Sequence, residues 1–137
     1  KPDNLHIPLR FHASIDESKL NELNQLLENK FSTIDPVMIS TRRLLLFPSK
    51  KPHIVVLAIH LNEELGQLVH AVNKIHSDVG IPIEKRPFLA HVTLGRFHDV
   101  IAQENIRLDI LKPVEEKGTQ IILYHSQPAD SGSFYKP

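Results

Sequence analysis

The 137 residues carry 16 Lys and Arg against 16 Asp and Glu, so the net charge is zero apart from nine histidines. That length suits one domain, and 41% hydrophobic with 23% charged residues excludes a disordered or fibrous chain. No apolar run nears the roughly 18 residues that cross a bilayer, the lack of cysteine removes disulfides, zinc knuckles and thiol nucleophiles, and neutrality argues against coating long duplexes.

Residues 5 to 12 alternate with period two, Leu5, Ile7, Leu9 and Phe11 on one face and His6, Pro8, Arg10 and His12 on the other, which predicts a half-buried strand. Ser14 or Asp16 caps a helix over 17–30, where Leu20, Leu23, Leu26 and Leu27 recur at helical spacing. Short apolar stretches follow at 37–40 and 43–47, and then a turn at 48–52, Pro-Ser-Lys-Lys-Pro. His53 to His60 is continuously apolar between its histidines and predicts a strand buried on both faces. Asn62 caps a second helix with the stripe Leu65, Leu68, Val69, Val72 and Ile75, ending near Gly80. Phe88 to Phe97 predicts a strand with His91 and Thr93 on one face and Val92 and Leu94 on the other. A short helix over 101–111, a last strand over 120–126 and a turn-like tail from Ser131 to Tyr135 complete the chain.

The two histidine-bearing strands disclose an internal repeat. The second half runs strand, helix, His strand, short helix, strand; the first half begins at its His strand, so a strand and helix are expected upstream of His6. The expected fold is α+β. It is one domain of two lobes, roughly 1–47 and roughly 53–126, related by a pseudo-twofold, with antiparallel sheets around a central cleft and the first strand–helix unit missing.

Two imidazoles meeting across such a cleft supply one acid and one base near neutral pH, as attack of water on a phosphodiester requires. The Thr93 hydroxyl shares the His91 face and suits a hydrogen bond to a phosphate oxygen. Arg10 shares the His6 face and is the better cation by parity, whereas Arg96 falls on the apolar parity and reaches the cleft only if the strand bulges at Gly95 or ends there. Arg42, Arg43, Lys50 and Lys51 read as solvated turn residues that could also track an RNA backbone. Tyr135 is a candidate stacking residue for substrate. His6 and His12 share a face, but His91 and His98 do not, and no His-Glu-x-x-His pattern assists, so no metal and no cofactor are expected.

His6-Ile7-Pro8-Leu9 and His91-Val92-Thr93-Leu94, on duplicated lobes, resemble the paired His-x-Thr/Ser motifs of the 2H phosphoesterase superfamily. Within that superfamily the likeness is to the RNA 2′,3′-cyclic phosphodiesterases, also called 2′-5′ RNA ligases. The flanks extend it: Asp3 to Phe11 looks like that family's first motif block, Arg86 to Arg96 like its second, and Leu123 to Tyr135 like its closing strand and tail. The resemblance implies a metal-independent cytoplasmic hydrolase that opens a 2′,3′-cyclic phosphate at an RNA or oligonucleotide 3′ end, leaving a 2′-phosphate. It implies that His6 is the proton donor to the leaving O3′, that His91 activates water and that Thr93 holds a phosphate oxygen, with 2′-5′ joining as the reverse reaction. Pro8 stands where the family usually has Thr or Ser, which keeps open an alternative, a non-catalytic module of the same fold that binds an RNA end or nucleotide. A homodimer swapping N-terminal elements could supply the missing unit.

Overall fold

The computed structural model describes residues 4–97, 112–130 and 132–137. In chain order these give α1 (Glu17–Phe31), β1 (Val37–Phe47), β2 (Ile54–Ile59), α2 (Glu63–Asp78), β3 (His91–Arg96), β4 (Glu115–Gly118), β5 (His125–Ala129) and β6 (Gly132–Lys136). The expected α+β class holds: four strands form an antiparallel sheet in the order β3-β2-β1-β4, and β5 and β6 form a separate hairpin.

Both helices lie where leucine spacing and caps place them. The Asn62 side chain accepts the Leu65 N–H at 2.8 Å and satisfies one orphan donor of the first turn. The buried stripe of α2 then faces two ways. Leu65 and Leu68 meet Val37 and Ile59 of the sheet, and Ile75 meets Leu23 of α1. The tight turn after α2 uses Gly80 at φ +80°, a conformation that disfavours other residues.

Several expectations change. Residues 5–12 do not join a sheet among the described residues, although Ile7 and Leu9 do turn into the core of β1, β2 and α2. Alternation reports burial, not a ladder partner, and Pro8 has no N–H to offer one. The two stretches at 37–40 and 43–47 are one strand, because β1 continues through a register shift between Thr41 and Leu44. Arg42 and Arg43 therefore lie in a bulge of β1 and not on a turn. The last strand begins at His125 rather than at residue 120, and the tail is a strand, because Gly132 at φ +120° closes a hairpin pairing Ala129 with Gly132 and His125 with Lys136. β4, Glu-Glu-Lys-Gly, is exposed throughout and has no apolar pattern to announce it. The helix expected over 101–111 lies outside the described residues. No helix among the described residues is long and apolar enough to cross a membrane.

Candidate active site

His91 opens β3 directly opposite Ala58 of β2, with Thr93 opposite Val56. Paired residues in an antiparallel ladder point to the same face, so His91 and Thr93 share a face with Ala58 and Val56. The other face, with Leu57, Ile59 and Val92, is packed on α2 and on Ile7 and Leu9. His6 comes from the segment before α1, which joins no strand among the described residues. Its neighbour Ile7 and the neighbours of His91, Ala90 and Val92, belong to one hydrophobic cluster, so a single core anchors the backbone on which both imidazoles are mounted.

The two histidines are held alike. His6 Nδ1 lies 2.6 Å from the Asn4 carbonyl and His91 Nδ1 lies 2.6 Å from the Leu89 carbonyl, each two residues back. A carbonyl only accepts, so Nδ1 carries the proton in both rings. Each Nε2 is then a lone pair when the ring is neutral and a donor when it is charged. His53 makes a longer contact of this kind with Lys51, at 3.1 Å. The local bond alone therefore does not single out the pair; its combination with the shared core does.

Register decides the arginines. The β2–β3 pairing slips between Val55 and Val56, with Val56 opposite Thr93 but Val55 opposite Gly95, so Leu94 is an extra residue. After the slip Arg96 pairs with Ile54, which shares its face with Val56 and Ala58. Arg96 thereby returns to the His91 and Thr93 face, the condition that sequence parity set for it. Arg10 goes elsewhere. Its Nη1 donates to Asn73 Oδ1 at 2.9 Å and its Nη2 to the Pro82 carbonyl, while the buried Nε has no partner among the described residues, so the guanidinium fastens the N-terminal segment to α2 and the following loop.

Tyr135, of β6, sets its ring edge-on to the His6 imidazole with centroids 4.8 Å apart. Tyr124, which the sequence pattern does not single out, lies 6.1 Å from His6 and 5.7 Å from Tyr135, and the Asn4 amide donates to the Ser133 carbonyl at 3.1 Å. The terminal hairpin thus walls His6 with two phenols, and no local signal links Tyr124 to His6 across that separation.

A second histidine pair lies behind the site. His12 and His76 stack with centroids 4.7 Å apart, and their Nε2 atoms are 2.8 Å apart. His76 Nδ1 donates to the Val72 carbonyl at 2.6 Å, so His76 Nε2 accepts and His12 Nε2–H donates. Burial, then His76 and Arg10, hold His12 below the ordinary histidine value against an opposing pull from Glu84. Burial also lowers His76, with its bond to Val72 opposing and Arg10 assisting. Neutral rings suit a contact that two imidazolium ions would break.

A family model described as the 2′-5′ RNA ligase superfamily matches residues 2–128. Among curated proteins, an RNA 2′,3′-cyclic phosphodiesterase of Bacillus subtilis is 31% identical over 96 residues, 69% of this chain and 52% of that protein. One of Methanocaldococcus jannaschii, with the same description, is 27% identical over 98% of this chain and 78% of its own length. The chain therefore spans about half of the Bacillus relative. Among solved structures, TT0787 of Thermus thermophilus superposes with a TM-score of 0.80 at 22% identity, covering 99% of this chain and 76% of its own, which establishes the shared fold.

Proposed function

The chain belongs to the 2′-5′ RNA ligase superfamily, and from that membership we propose that it opens 2′,3′-cyclic phosphates at RNA or oligonucleotide 3′ ends by paired histidine catalysis. The observation that carries the reading is the matched restraint of His6 and His91, each with Nδ1–H tied to a backbone carbonyl and Nε2 left to exchange protons.

In this mechanism His91 Nε2 takes a proton from water as its oxygen attacks phosphorus. The P–O3′ bond breaks, and protonated His6 gives its Nε2 proton to O3′, leaving a 3′-hydroxyl and a 2′-phosphate. The Thr93 hydroxyl donates to a phosphate oxygen and Arg96 offsets developing charge, an effect commonly worth roughly 10²–10³ in rate per donor. Arg10 keeps its structural bonds and takes no part. Tyr135 and Tyr124 border the proton donor and limit its access to bulk water. With an RNA 5′-hydroxyl in place of the attacking water, O5′ bonds to phosphorus as it gives its proton to His91 and the P–O3′ bond breaks with protonation by His6, so the same site joins ends through a 2′-5′ linkage. The backbone of 4–12, which joins no strand among the described residues, also leaves room for a strand from a second copy, as in a swapped homodimer; sedimentation at a monomer mass would exclude it.

Hydrolysis of a 2′,3′-cyclic phosphate-ended oligoribonucleotide, followed by the appearance of the 2′-phosphate with chelator present, tests the reading. We expect turnover with a bell-shaped pH profile, because one imidazole must be neutral and the other charged. Full activity in both His6→Ala and His91→Ala would overturn it. Pro8, which puts no hydroxyl beside His6, favours the second reading, a binding module without turnover. Nucleotide binding with no hydrolysis by either the native chain or Pro8→Thr would select that reading.

A further inference from the structure

Beside His91, on the side away from Thr93, lies a cavity of about 270 Å³ that the catalytic reading does not use. Arg42 and Arg43 form its charged wall, and Leu45, Ala58, Phe88 and Leu89 supply an apolar lining. We propose that this cavity is the subsite for the nucleotide preceding the cyclic end, with Arg42 and Arg43 holding the phosphodiester 5′ to the terminal ribose. The inference rests on the functional reading above and names the substrate class: an RNA chain, not a mononucleotide.

Four observations converge on it. First, register places the arginines level with the catalytic histidine. Leu44 pairs with Leu57 and Thr41 with Ile59, so the bulge of Arg42 and Arg43 lies opposite Ala58, whose other neighbour is His91. Two strand spacings, about 10 Å, separate the backbone at His91 from that bulge. Second, Leu45 pairs with Val56 and Ala58 pairs with His91, so these lining residues stand on the His91 face of the sheet. Third, neither guanidinium has a hydrogen bond or ion pair among the described residues; the ion pairs are Lys74–Asp78 and Arg86–Glu84. Two adjacent cations with no ion-pair partner among the described residues keep their guanidinium forks open, and a phosphodiester matches such a fork. Fourth, the cavity joins the site through Leu89, whose carbonyl orients the His91 ring and whose residue lines the wall. A base and sugar would cover the apolar lining while the phosphate meets the arginines. That division of labour fits a single preceding nucleotide rather than a long tract, in keeping with the net charge of zero.

The test compares adenosine 2′,3′-cyclic phosphate, which lacks the 5′ phosphodiester, with the adenylyl dinucleotide ending in the same cyclic group. The native chain should process the dinucleotide with the higher kcat/KM. Arg42→Gln/Arg43→Gln should remove that advantage through KM, roughly ten- to hundredfold for the dinucleotide, and leave the mononucleotide unchanged. The slope of log kcat/KM against log salt for the dinucleotide should fall in steepness by about 0.7, the value for one lost phosphate contact on a single strand. Equal losses on both substrates, or none on either, overturn the proposal. If the native chain hydrolyses neither substrate, the catalytic reading fails separately. Fluorescence anisotropy with a labelled dinucleotide 2′-phosphate then decides: weaker binding by the double variant supports the subsite, and equal affinity refutes it. Arg42→Lys/Arg43→Lys, which keeps charge but not the fork, should recover part of the loss if the chain is folded by circular dichroism.

Discussion

Lowering the pH from 7.5 to 5.5 should destabilise the fold through the His12–His76 pair, and the size of that loss follows from linkage. His76 is 2% exposed and its pKa is lowered from the ordinary 6.5. Between 6.5 and the lower folded value the unfolded chain binds a proton that the native chain refuses, so stability is complete above 6.5 and declines as pH falls through it, levelling once the folded value is passed. One proton of difference sets a limiting slope of about 1.4 kcal/mol per pH unit. His12, also lowered but partly solvated, adds less. Over that interval the pair should cost about 1–2 kcal/mol, which for a domain of this size moves Tm by roughly 3–8 °C. His76→Gln keeps a donor and an acceptor but cannot titrate. Urea unfolding followed by circular dichroism should show the variant less stable at pH 7.5 yet with a smaller decline toward 5.5. Native and variant curves that fall in parallel would refute the assignment of the acid sensitivity to this pair.

Four further outcomes follow from the same geometry. His6→Ala and His91→Ala should each lower kcat by roughly 10²–10⁴ while unfolding transitions stay near the native midpoint, and the double variant should lose little more than the worse single, because the two act in one step. Arg96→Ala should raise KM for a cyclic-phosphate substrate roughly three- to thirtyfold, whereas Arg10→Ala should leave KM unchanged and cost roughly 1–3 kcal/mol of stability, read by urea titration. Deleting Leu94, which is 44% exposed, should remove the bulge while keeping Arg96 opposite Ile54 on the His91 face, so KM should stay near the native value; a rise matching Arg96→Ala would refute the register. Leu23→Ala, at a site with no exposure, should cost about 2–5 kcal/mol by thermal unfolding and leave KM as it is.

What the sequence made legible was whatever depends on local spacing. The stripe from Leu65 to Ile75 and the Asn62 cap report a helix, because burial and capping both act within a few residues. The alternation at 5–12 correctly sends Ile7 and Leu9 inward, but it cannot say whether a neighbouring strand exists. β4 was invisible because an exposed edge strand needs no apolar residues, only backbone groups matching Val37–Ser40. The His12–His76 contact joins residues brought together by the docking of the N-terminal segment on α2, and nothing in the neighbourhood of either histidine marks it. The like restraint of the His6 and His91 rings, each on a carbonyl two residues back, agrees with the matching local contexts in which the sequence places them.

The cations show a different limit. Parity counting assigns faces correctly while the ladder is regular, and it places Arg10 on the His6 face and lets Arg96 reach the His91 face only through a bulge at Gly95 or the end of the strand. The structure supplies that bulge and engages Arg10 with α2 and the loop after it. Arg10 belongs to a segment with no ladder to fix its direction, and Asn73 and the Pro82 carbonyl capture its guanidinium. Arg96 lies beyond one extra residue, and a single slip exchanges the faces of everything that follows. The β1 bulge acts in the same way on Arg42 and Arg43, setting them in line with Ala58 and His91. Two register irregularities, in the strands on either side of β2, therefore bring positive charge to the His91 side from both directions. A chain with no net charge can hold a locally cationic face by this means, since the position of three arginines, not their number, sets the field a phosphate meets.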